Sequence, residues 1–104
     1  MQLRAGNEEE YRRRHAPIWP ELEETLRAHG VISYSIFLHP LTLQLFAYAE
    51  IESEERWQAI AQTEICREWW VSMKALMETN SDSSPASIEL SEVFRLEAGG
   101  ERRL

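Results

Sequence analysis

Two alternating apolar runs lie close together in this chain, and they restrict its fold more than any other feature. Over Val31–Leu38, Ile32, Tyr34, Ile36 and Leu38 fall on one side, and Val31, Ser33, Ser35 and Phe37 on the other. A period of two marks a β-strand with two distinct faces. His39-Pro40-Leu41-Thr42 reads as a turn. Leu43–Ile51 then returns, with Leu43, Leu45, Ala47, Ala49 and Ile51 on one face and Phe46 and Tyr48 on the other.

Helical signals flank this hairpin. Residues 1–5 can open as a short strand, and Asn7 reads as an N-cap with Glu10 completing a capping box. A first helix is expected over Glu8–Arg14, and a second over Pro20–Ala28, with Leu22 and Leu26 at helical spacing and Gly30 as its C-cap. Ser53 caps a helix reaching about Ala61, and Glu64–Met77 forms another. Glu78–Ser87 is a polar loop, and Ile88–Leu96 reads as a final strand. The order strand, helix, strand, strand, helix, strand is the ferredoxin-like arrangement, an α+β fold with helices on one face of an antiparallel sheet. Its open face would carry Phe46, Tyr48 and Phe37, too apolar to stay wet without reason. Pairing two such sheets face to face, as a homodimer, would cover those rings.

The chain has 104 residues, enough for one domain, expected over 1–96 with a frayed tail at 97–104. Eighteen acidic against eleven basic residues leave a net charge of −7, which repels phosphate backbones and argues against a nucleic-acid partner. No apolar run reaches membrane-spanning length and no signal-peptide pattern opens the chain, so a cytoplasmic protein is expected. Cys66 is the single cysteine, which rules out an internal disulfide; on a predicted helix it reads as a small packing residue. His29 and His39 lack metal-ligand spacing with each other or with His15, so no metal site is expected.

Chemistry concentrates in Tyr11-Arg12-Arg13-Arg14-His15-Ala16-Pro17-Ile18-Trp19-Pro20-Glu21-Leu22. Tyr11 and His15, four residues apart, share one helical face. Pro17 and Pro20 disfavour helix at Ala16 and Trp19, so the first helix should end near His15, beside free backbone groups and an open cleft. Pro20 suits the first turn of the next helix. An imidazole titrates near neutral pH, and a helix C-terminus would favour its charged form. The alternative is a hinge histidine satisfied by a backbone carbonyl. Arg12, Arg13 and Arg14 read as a solvated face pairing with Glu8, Glu9 and Glu10. Glu21 is a candidate second proton carrier, although a first-turn glutamate usually complements the helix dipole. Trp19 and Trp57 read as core or interface aromatics.

Tyr-x-x-x-His-x-x-Ile-Trp-Pro-Glu-Leu resembles the signature of the L-rhamnose mutarotases, small cofactor-free enzymes. The resemblance continues through Tyr34, Ile51-Glu52-Ser53-Glu54-Glu55-Arg56-Trp57, Cys66-x-x-Trp69-Trp70 and Asp82-x-Ser84-Pro85, in unchanged order over about 1–96. It implies a dimeric α/β barrel that acts on L-rhamnose or a similar deoxy sugar. It assigns His15 as proton donor and Tyr11, Tyr34, Trp69 and Trp70 as substrate-binding residues. Read alone, Tyr11 either bonds a ligand or packs by its ring, and Tyr34 is one more sheet aromatic. Trp69 and Trp70 stand about 100° apart on a helix, so one is expected in the core and one on the ligand.

The chain departs from the family in two places. Family members usually carry several further residues before the position of Met1, so the first strand is expected to be short. They also tend to have proline near Ser81 and asparagine at Ser83, so a hydrogen bond needing an amide at Ser83 is lost. Two other functions fit the same scaffold: a monooxygenase or haem-degrading relative, and a non-catalytic carbohydrate-binding module.

Overall fold

In the computed structural model, which describes residues 1–97, the two alternating runs form an antiparallel pair, β1 (Val31–Leu38) and β2 (Leu45–Ile51). Tyr34 pairs with Ala49, Ile36 with Ala47 and Leu38 with Leu45; on the other face Ser35 pairs with Tyr48 and Phe37 with Phe46. The first set turns toward the helices, where Leu45 is buried and Ile36 and Leu38 pack on the core. Phe37, Phe46 and Tyr48 stay exposed on the second face.

The alternation slips at the start of β1. Val31 pairs with Ile51 but Ser33 already pairs with Glu50, an irregularity that reverses the expected facing of the first two residues. Val31 therefore packs on the core, while Ile32 is 61% exposed.

Before the hairpin lie α1 (Glu8–Arg14) and α2 (Pro20–Ala28), and after it α3 (Glu54–Ala59), a 3₁₀ turn (Ile60–Gln62) and α4 (Glu64–Met73). Ser53 caps α3 by accepting from the Arg56 amide at 3.2 Å. Gly30, at φ +87°, turns the chain out of α2. The capping box at α1 does not form. Asn7 makes no side-chain cap, and both Glu10 oxygens are taken by Arg13 (2.5 Å) and Arg14 (2.6 Å). Charge-assisted bonds to two guanidiniums outcompete a neutral amide for that carboxylate.

Three further boundaries differ from expectation. The N-terminal segment is not a strand: Gln2 bridges Gln44 and Leu3 bridges Met77, and Gly6 (φ +87°) then turns the chain into α1. Met1 to Leu3 still fills a gap, since Leu3 donates to Leu43 at 3.0 Å and Arg4 to Leu76 at 2.8 Å. α4 stops at Met73 because Leu76 and Met77 fold back to meet that segment, both buried. Residues 88–96 run without a ladder partner and form no strand, so the described sheet has two strands rather than four. Among the described residues, 88–96 pairs with neither open edge of the β1–β2 sheet. Of the expected tail, 98–104 lies outside the described residues.

The core is Leu3, Tyr11, Leu22, Leu45, Ile60, Cys66, Trp69, Met73, Leu76 and Met77. It is an α+β domain in which helices line one face of the hairpin.

Candidate active site

Proline chemistry ends α1 where expected. Arg14 is its last residue, His15 its C-cap, and Pro20 opens α2 after an extended Trp19 (ψ 128°). The Ala16–Pro17 peptide is cis. One helical turn sets the Tyr11 and His15 rings 4.3 Å apart between centroids. α4 brings Trp69 edge-on to His15 at 5.2 Å, and Trp19 backs Trp69 at 5.1 Å. From β1, Tyr34 reaches the same space and meets the edge of Trp57 at 5.6 Å.

Tyr11, His15, Tyr34, Trp57 and Trp69 wall one open cavity of about 1090 Å³. Tyr11, His15, Tyr34, Trp69 and Trp70 all line it, so the structure gathers the five residues that the resemblance assigned to the site. Trp69 is buried in the core and borders the cavity as well; Trp70 is half-buried at the same wall. The expected division of one ring to each task is therefore replaced by a shared one. Sequence reasoning missed Trp57 as a wall residue; it shares the wall with Ser83 and Pro85 of the loop before residue 88. Trp57 carried a signal, an aromatic just past a helix cap, but its register toward Tyr34 needs the tertiary packing. Glu21 is exposed on α2 and does not line the cavity.

His15 is held on its inner side. Its Nδ1 lies 2.7 Å from the Tyr11 carbonyl oxygen, which can only accept. Nδ1 therefore donates, and the neutral ring leaves Nε2 as an acceptor. The carbonyl contact expected of a hinge histidine is present, yet the ring also borders the cavity. Burial lowers the His15 pKa from 6.5, with the carbonyl bond opposing the shift. Desolvation by burial works against the imidazolium that a helix C-terminus would favour.

Tyr11 is 9% exposed, and its hydroxyl has no hydrogen-bond partner among the described residues. Burial pushes its pKa up to about 12, so the phenol remains a protonated donor. Burial also pushes the Cys66 thiol up to about 11, which suits a packing residue rather than a nucleophile. Among the described residues no group of three or more His, Cys, Asp and Glu is placed to hold a metal ion. Arg13 and Arg14 pair with Glu10 as the charge pattern requires, and Arg14 also donates to the Ser72 carbonyl at 2.5 Å, tying α1 to the last turn of α4.

Fold and cavity together define a small α+β protein with one imidazole in an aromatic pocket, suited to a ligand with hydroxyls and apolar faces. Comparison with known proteins is specific. A model of the L-rhamnose mutarotase family matches residues 1–96. The L-rhamnose mutarotase of Tolumonas auensis is 58% identical over 96 residues, 92% of each chain. That of Bacillus subtilis is 58% identical over 89 residues, 86% of each chain. The crystal structure of L-rhamnose mutarotase from Formosa agariphila superposes with a TM-score of 0.85 at 40% identity, covering 93% of each chain. The chain belongs to the L-rhamnose mutarotase family.

Proposed function

We propose that this chain is a cofactor-free isomerase that interconverts the α and β anomers of L-rhamnopyranose, with His15 as its proton carrier. The observation that carries this reading is His15 itself, donating from Nδ1 to a fixed carbonyl while its ring borders the aromatic cavity. Neutral Nε2 takes the proton of the anomeric hydroxyl as the C1–O5 bond breaks and C1=O1 forms. The resulting imidazolium gives that proton to O5, which completes the open-chain aldehyde. After rotation about C1–C2, O5 attacks the other face of the carbonyl and the two transfers run in reverse. His15 is thus a donor only after it has been an acceptor, and no atom or electron is left over.

Tyr11 offers a phenol O–H to a sugar oxygen, and Tyr34 supplies a second hydroxyl from the sheet. Trp69 and Trp70 provide indole faces for the apolar side of the pyranose and its methyl group. Residues 1–96 act as one functional unit, and the same reading places the reaction in the cytoplasm.

The working form is a homodimer on the dimeric α/β barrel plan. Phe37, Phe46 and Tyr48 form an exposed aromatic face, and Ile88, Leu90, Val93, Phe94 and Leu96 are between 69% and 95% exposed along the unpaired run. So much apolar surface marks an interaction face. A second copy would cover the aromatic face, complete the sheet with 88–96 and narrow a cavity wider than one monosaccharide needs.

The decisive measurement is exchange between the two anomeric proton signals of L-rhamnose, with and without protein. Wild type accelerates it, and folded His15→Ala lowers the rate by about 10²- to 10⁴-fold. Unchanged exchange in the folded variant removes His15 from its role, and sugar binding without acceleration makes the protein a carbohydrate-binding module.

A further inference from the structure

Ser83 is the one polar residue that the described structure buries, at 9% exposure. It lines the same cavity as His15, on the loop between Met77 and residue 88. Two unfavourable features coincide there. Its backbone lies at φ +74°, a region that glycine and asparagine tolerate far better than serine. Its hydroxyl has no hydrogen-bond partner among the described residues, although a serine in a turn can usually bond its own backbone.

Several bonds tie the loop to itself. Asn80 donates from its amide nitrogen to the Ser84 carbonyl at 2.7 Å and from Nδ2 to Ser84 Oγ at 3.0 Å. Asp82 accepts from the Ser84 amide at 3.0 Å and from its hydroxyl at 2.5 Å. Ala86 donates to the Glu78 carbonyl at 3.1 Å and closes the base. These bonds hold Ser83 in its strained position and leave its buried hydroxyl without a partner among the described residues. Leu43 is the other described non-glycine residue with positive φ, and it makes a useful contrast: its side chain packs on the core and its amide donates to His39 at 2.9 Å. Strain and an unsatisfied buried polar group together, on a cavity wall, are features of a ligand contact.

We propose that Ser83 is a substrate-binding and specificity residue whose hydroxyl hydrogen-bonds one ring hydroxyl of the sugar. The inference rests on the mutarotase reading above. It requires the pocket to reject a sugar lacking that hydroxyl, because Ser83 would then stay buried and unpaired.

The test compares wild type with Ser83→Gly and Ser83→Ala on L-rhamnose and its derivatives lacking the 2-, 3- or 4-hydroxyl. Anomer exchange gives KM and kcat, and circular dichroism melting gives the fold. Glycine accepts the backbone geometry, so its melting temperature stays equal or rises. Both variants raise KM for L-rhamnose about five- to tenfold, the size of one hydrogen bond, with kcat little changed. Both also lose the wild-type discrimination against one of the three derivatives. Wild-type KM and discrimination in folded Ser83→Gly overturn the Ser83 role alone. A wild-type chain that does not accelerate exchange overturns the mutarotase reading and this one with it.

Discussion

His15 owes its proposed chemistry to two opposing influences on a single ring. The Tyr11 carbonyl fixes Nδ1 as donor, while burial holds the pKa below 6.5. At neutral pH the ring is therefore ready to accept a proton. The rate should be level above pH 6.5 and should fall about tenfold per unit once pH drops below the lowered folded value. A pH profile of kcat/KM measures this, and His15→Gln should lack the acid limb. Stability follows the same sign. A depressed folded pKa contributes stability that is complete above the unfolded value and is lost as pH falls through the folded one. Tyr11, held protonated to about 12, adds nothing to the profile over this span. At this scale spacing and proline placement put Tyr11 and His15 on one face, and the resemblance supplied their roles; the lowered His15 pKa was not legible, because burial is a property of the packed fold. Ser83 stood out in the sequence only as a lost amide, and its burial on the cavity wall came from the packed loop.

Short elements reach their places through a few specific locks. Gly30 is one of these. A Cβ built there would lie 3.0 Å from Glu52 Oε1 and 3.1 Å from Glu52 Cβ, and the backbone sits at φ +87°. The neighbouring Arg56 guanidinium pairs with Glu52 at 3.0 Å and also donates to the Ala28 carbonyl, so the obstacle is braced. Gly30→Ala should cost about 1–2 kcal/mol from the left-handed backbone, read as a lower urea midpoint. Gly30 lies outside the cavity wall, so the folded variant should keep its anomer-exchange rate. The two helices around the proline break and the two faces of the hairpin from Ser33 onward were legible from sequence, because proline geometry and alternation act within a few residues. The end of α4 was not. Leu76 and Met77 continue a helical pattern, yet they turn back because Leu3 and Arg4 arrive from the far end of the chain.

The whole molecule leaves more apolar surface uncovered than its core requires. Val93 is 95% exposed and Phe94 80%, on a run with no ladder partner among the described residues. At micromolar concentration the protein should sediment at twice its 12.2 kDa chain mass. The double substitution Val93→Glu with Phe94→Glu should shift it toward monomer, and a wild-type monomer by equilibrium sedimentation would reject the dimer.

From the residues alone came the family, the hairpin with its two faces, the helix break at His15 and the aromatic set around it, all carried by short-range pattern and ordered motifs. Tertiary structure alone decided which rings touch, that both Trp69 and Trp70 border one cavity, and that Ser83 is buried with a free hydroxyl. It also decided that burial lowers the His15 pKa and that 88–96 finds no ladder among the described residues. Those outcomes depend on desolvation and on contacts between segments distant in sequence, neither of which any local pattern encodes.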